Sequence, residues 1–216
     1  MTRAELKLDA KNKMYKNYGL LLALMLIGML ASGLAASIGK ASGLIAGLVS
    51  FIITACMQLS MANVCLKISK TGKATFEDVI EPLKENIVEK VLTILLSQFY
   101  LILWSALFVI PGLVKLFSYS QLLYILVDDN ENIYFNEAIT KSRQMMYGHK
   151  LELLILNLSF ALWLIAIPLT FGILSLYVIP YTSLTISNYY LTLTGYTGGA
   201  EKIVDEEAIK EAIKIN

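Results

Sequence analysis

The chain is poor in charge, and that scarcity sets its class. Lysine, arginine, aspartate and glutamate make up 16% of its 216 residues, against roughly 25% in ordinary soluble domains. The single histidine, His149, cannot furnish a histidine metal cluster, and no CxxC or HExxH spacing supplies partners. No metal or other cofactor is therefore expected. Only two cysteines occur, Cys56 and Cys65, both inside an apolar run, and they read as packing residues rather than a disulfide framework. A net charge of +1 gives no basis for a nucleic-acid partner. The acidic run Asp128-Asp129-Asn130-Glu131 lacks the spaced ligands and the glycine of a calcium loop. It reads as a solvated connection within reach of Lys141 or Arg143.

What is abundant is apolar: 56% of the residues are hydrophobic, gathered into long runs nearly free of charge. Such runs call for lipid as the solvent. Hydrocarbon cannot hydrogen-bond a backbone, so a span is a helix or part of a closed barrel, and unbroken rather than alternating runs favour helices. The expected fold is all-α, a polytopic membrane helical bundle of six transmembrane helices. The spans are placed at Asn17–Gly39, Ala41–Leu66, Val88–Ile110, Leu113–Val127, 151–170 and 173–194. Tight turns are expected at Gly39-Lys40, Pro111-Gly112 and Thr170-Gly172, and the fourth span is short for a bilayer. The first run follows a basic segment as a signal peptide does, but it is long enough to span and is read as retained. Gly28, Ser32, Ala36, Gly39, Gly43 and Gly47 place small residues where the first two backbones can approach closely.

Basic residues orient the bundle. Arg3, Lys7, Lys11, Lys13 and Lys16 precede the first span, and Lys67, Lys70, Lys73, Lys84 and Lys90 lie between the second and third. Lys141, Arg143 and Lys150 separate the fourth from the fifth, while the opposite side receives only Lys40 and Lys115. Lysine and arginine excess marks the cytoplasmic side, so both termini are expected there. The cytoplasmic segments carry apolar stripes at helical spacing. Interfacial helices are expected near 3–16, 75–87 and 134–148, and a cytoplasmic helical tail over 196–216 follows the 1–195 transmembrane domain. Thr75 and Asp78 are spaced as a capping pair, Pro82 should shorten its helix, and Gly148 should end the next one. Three hairpins, each followed by an amphipathic helix, suggest a weak threefold repeat.

Several motifs in order resemble one family. They are LWSALFVIPGLVKLFSYSQLLYILVDDN (Leu103–Asn130), NEAITKSRQMMYGHK (Asn136–Lys150), LSFALW (Leu158–Trp163) and IPYT (Ile179–Thr182), with the opening TRAELK (Thr2–Lys7). The chain resembles the DUF975 family of bacterial integral membrane proteins. That resemblance implies a helical bundle in the bacterial plasma membrane. It carries no established activity, so no catalytic residue transfers with it.

Within the spans, acids and bases are confined to the ends, at Glu89 and Glu152, with Lys115 just past a turn. Coupled carriers usually bury such groups where function needs them. Neutral polar groups do occur: Gln58, Asn63, Gln98, Gln121, Asn157 and Asn188 form a candidate intramembrane polar cluster. Interhelical hydrogen bonding at about 0.6 kcal/mol per contact is the plainer role for them; a polar cavity is the sharper one. With no reactive constellation, no enzymatic activity is expected. The expected function is a non-enzymatic module binding lipid or a membrane-protein partner, a second copy included, with Lys67, Lys70 and Lys73 facing the anionic leaflet. The alternative is a transporter or channel for a neutral or lipid-like solute.

Overall fold

The computed structural model describes residues 3–107, 109–128 and 133–196. Among the described residues the chain is helical, with no strand. The tail helix expected over 196–216 lies outside them beyond Tyr196.

Helix α1 (Arg3–Lys16) buries Leu6, Ala10 and Met14, one face at a spacing of four. Helix α2 (Tyr18–Thr71) has 54 residues, so a straight rod would measure about 80 Å. Its two ends nevertheless meet: Asn17 Nδ2 donates to the carbonyl of Gly72 at 2.9 Å. A Cβ on Gly28 would stand 3.7 Å from the sulfur of Met57. The element therefore doubles back on itself. Gly43, with φ +59°, lies inside it, in a backbone region where only glycine is comfortable. The reversal thus carries its left-handed residue beyond the expected Gly39-Lys40 turn. Of the small-residue stripe, Gly28 sits at the approach of the limbs; Ser32, Ala36 and Gly39 fall outside the residues whose surroundings are described.

Helix α3 (Glu77–Lys84) is introduced as expected, with the Thr75 amide donating to Asp78 Oδ2 at 2.6 Å, and it ends two residues past Pro82. Helix α4 (Ile87–Leu107) is followed by α5 (Val109–Ser118) and α6 (Leu122–Val127). A Cβ on Gly112 would lie 2.9 Å from the Cα of Ser105, although seven helical residues span about 10 Å along an axis. The chain accordingly reverses before Gly112, which with Pro111 lies inside α5 rather than at the expected turn, and α5 returns along α4. The expected fourth span is broken after Ser118 into these two pieces.

Helix α7 (Phe135–Met145) occupies the expected 134–148 segment and gives way to Gly148 at φ +85°. Helices α8 (Lys150–Leu158) and α9 (Ala161–Leu169) are bent by 42°. A turn with Phe171 at φ +49° and Gly172 at φ +84° leads into α10 (Ser175–Leu193). Phe160 meets Tyr181 edge-on at 5.2 Å, and Trp163 lies 6.0 Å from Tyr177, so α10 runs back along α8 and α9.

Two helices, Gly47–Thr71 and Ile87–Ala106, are long and apolar enough to cross a membrane. The number rises to four if each bent pair is one span: Arg3–Lys16 with Tyr18–Ala31, at 84°, and α8 with α9. Exposed large apolar side chains crowd the distal halves of the hairpins: Leu30, Leu48, Ile102, Leu113, Leu162 and Phe171, the last at 98%. The described residues thus form an all-helical fold with two to four segments fit to span a membrane, and an apolar exterior suited to lipid contact.

Candidate functional site

Polar contacts concentrate at the opposite ends of the hairpins, in the segments rich in lysine and arginine. Lys70 Nζ lies 2.9 Å from Asp128 Oδ1, with side-chain exposures of 14% and 8%. The Tyr190 hydroxyl donates to Asp128 Oδ2 at 2.9 Å, and the Tyr124 ring stacks on Tyr190 at 5.7 Å. Asp128 thus ties α2, α6 and α10 together, and the rest of the acidic run, Asp129-Asn130-Glu131, lies outside the described residues. Beside it, Asp9 pairs with Lys13 at 2.8 Å and accepts from Asn188 Nδ2 at 2.9 Å, while Lys13 reaches the Ser69 carbonyl. Lys7 lies 4.1 Å over the Phe160 ring, and burial lowers its pKa from the usual lysine value.

This seam occupies much of the charge that sequence reasoning assigned to the lipid surface. Lys67 pairs with Glu81 at 3.2 Å, Lys70 with Asp128, and the buried Lys90 donates to the Pro82 carbonyl at 3.1 Å. Lys115 was expected apart from Arg143 and Lys150, across the membrane with Lys40. Instead it lies within Coulombic range of both. His149 caps α8 and contacts Glu152 at 3.2 Å, and Tyr189 reaches the same carboxylate at 3.2 Å. Among the described residues no group of histidine, cysteine and carboxylate side chains could hold a metal.

The six candidate polar residues separate into distinct places. Gln58 and Gln98 come together, both exposed, on the lip of a recess of about 180 Å³ between α2, α4 and the α5–α6 return. Ser97, Tyr119 and Ser120 line the same recess, with apolar walls from Ile94, Leu101, Leu116, Leu122 and Leu123. Gln121 is buried next door, its amide nitrogen donating to Ser120 Oγ at 3.2 Å and its oxygen unpartnered among the described residues. Asn63 instead binds α3, donating to the Asp78 carbonyl at 2.7 Å and to Glu81 at 3.1 Å. Asn188 is taken up by α1, and Asn157 lies half-buried on α8.

Chemically, the recess offers two amides and three hydroxyls and no ionised group. The serine hydroxyls are already committed to backbone carbonyls, Ser97 to Ile94 at 2.7 Å and Ser120 to Phe117 at 2.8 Å. Hydrogen bonding is within its means; general acid–base work at neutral pH is not what amides perform. Sequence reasoning singled out the glutamines but passed over Ser97, Tyr119 and Ser120. The available signal was the shared α4 face of Ile94, Ser97, Gln98 and Leu101, spaced by three and four.

No curated protein and no solved structure matches the chain. A family described as protein of unknown function, DUF975, matches over residues 1–118 and again over 108–197. Those two stretches carry the ten helices of the described residues, the seam and the recess, and the chain belongs to the DUF975 family.

Proposed function

We propose that this protein is a six-span, non-enzymatic module of a bacterial plasma membrane that binds polar lipid at the recess of Gln58 and Gln98. The six spans are the two limbs of α2, α4, the α5–α6 return, α8 with α9, and α10. The seam-bearing ends, including both termini, face the cytoplasm. This orientation is supported by the lysine and arginine excess in the segments that form the seam, and by the apolar exterior of the far ends.

One observation carries the lipid-binding reading: two exposed amides stand on the lip of an apolar-walled recess. An amide in hydrocarbon without a partner costs several kcal/mol. The ester and glycerol region of a lipid supplies the missing donors and acceptors and leaves its chains to the walls. The neutral lining suits a polar but uncharged group.

The test compares lipid co-purified with the wild type and with Gln58→Leu/Gln98→Leu, read by native mass spectrometry. The double variant should retain clearly less lipid while keeping its helix content. Equal retention sinks the recess as a lipid site. Solute uptake by the wild type in proteoliposomes, lost in the same variant, would move the reading to transport. Accessibility of single cysteines at Lys73 and Phe171, placed in a Cys56→Ala/Cys65→Ala background, checks the orientation. Labelling of both from the same side of intact cells refutes it.

A further inference from the structure

Helices α5, α7 and α8 bring three cations together: Lys115, Arg143 and Lys150. Their convergence is fixed by contacts independent of the charges. Ser142 Oγ, beside Arg143, donates to the Ser118 carbonyl at 2.9 Å. Phe117 packs against the cluster of Leu6, Met146, Leu153 and Tyr189, which seats the start of α8 against α5. The Lys115 ammonium is held 4.5 Å over the Trp104 ring.

In this setting the charges of Arg143 and Lys150 act on Lys115, and that of Arg143 also reaches Tyr119 on the recess. Among the described residues no carboxylate forms an ion pair with any of the three. This contrasts with Lys13, Lys67 and Lys70, each of which has its carboxylate. Like charges within Coulombic range repel, and a counter-anion relieves the repulsion on Lys115. The surroundings say which kind. Trp104 on α4, Leu113 and Leu116 on α5, and Leu151 on α8 are exposed large apolar residues, and a ring such as Trp104 favours the headgroup level of a bilayer. Arginine adds a planar fork matched to phosphate oxygens.

We propose that Lys115, Arg143 and Lys150 together bind the phosphate of an anionic phospholipid headgroup, with Leu113, Leu116 and Trp104 against its acyl chains. The proposal rests on the lipid-binding reading and names the lipid's charge class.

The test uses the full chain in nanodiscs of phosphatidylcholine containing phosphatidylglycerol, reading the ratio of the two lipids bound. Replacing one cation by glutamine should lower the preference for phosphatidylglycerol about 5-fold, and Lys115→Gln/Arg143→Gln/Lys150→Gln on the order of 100-fold. The control Lys11→Gln/Lys16→Gln, at exposed α1 positions, should keep the wild-type ratio. Should the triple variant misfold, the three single variants carry the test. A wild-type ratio in variants that fold overturns the proposal. So does binding of glycerol phosphate as tight as that of the intact lipid, which would make this a free-anion site. Loss of total lipid in Gln58→Leu/Gln98→Leu with the preference intact supports both sites. Loss of the preference in the cation variants, with total lipid in the glutamine variant unchanged, keeps this site and removes the recess.

Discussion

Breaking the Lys70–Asp128 pair should loosen three helices at once. At 2.9 Å, unit charges attract by about 6 kcal/mol at an effective dielectric constant of about 20, and desolvation offsets much of that. Exposures of 14% and 8% put the pair nearer the buried than the surface limit. Removing one partner from a buried pair costs roughly 3–5 kcal/mol, because the survivor stays desolvated. Lys70→Met leaves Asp128 with the Tyr190 hydroxyl, which should moderate the loss to about 2–3 kcal/mol. Asp128→Asn keeps an oxygen for Tyr190 but strands the lysine, at about 3 kcal/mol. The double variant Lys70→Met/Asp128→Asn strands neither charge and should lie within about 1 kcal/mol of the worse single variant, a coupling of at least ~1 kcal/mol. Equilibrium unfolding of the four proteins in one detergent measures it. Additive single effects, within ~0.5 kcal/mol, would refute the assignment of this contact as a joint between helices.

Two further substitutions probe the close approaches. Gly112→Ala should destabilise by about 1–3 kcal/mol through overpacking, because its new methyl meets the Ser105 Cα and Oγ; adding Ser105→Gly should restore only part, and a neutral Gly112→Ala in thermal unfolding would argue against the tight return of α5. Asn188→Leu removes the bonds to Asp9 and to the Leu6 carbonyl, with an expected cost of about 1.5–3 kcal/mol. Trypsin should then cut α1 at Lys7 and Lys11 faster, and an unchanged rate would contradict the docking of α1 on α10.

The local features were legible because they depend on near neighbours. The Thr75–Asp78 cap, the Gly148 terminus of α7 and the Thr170–Gly172 turn all appear where proline, glycine and side-chain spacing put them. The reversal in α2 was legible as a reversal but not to the residue, since the segment holds several glycines of equal freedom and the positive φ falls at Gly43. The pairing of Lys70 with Asp128 spans 58 residues, and no periodicity encodes such a partner. Placing Lys67 and Lys70 against the anionic leaflet did not foresee their carboxylate partners for the same reason. Lys115 was misplaced because counting charges by loop assumes that each hairpin stands clear of the others. Here Phe117 packs against the cluster that holds Met146 and Leu153, which draws its neighbour Lys115 toward Arg143. The six amides looked like one cluster on a line of sequence, yet helix rotation sends Asn63 to α3, Asn188 to α1, and leaves only Gln58 and Gln98 at a common recess.

The grip of Asn188 on Leu6 and Asp9 joins residues 182 and 179 positions apart. A ribosome releases the beginning of this chain long before it makes the asparagine that fastens it. Through most of synthesis α1 must wait without its final neighbour, its Leu6 and Met14 face uncovered on the α10 side. Completion of α10 is therefore also the moment at which α1 becomes fixed, and a chain halted before Asn188 would leave both unfinished.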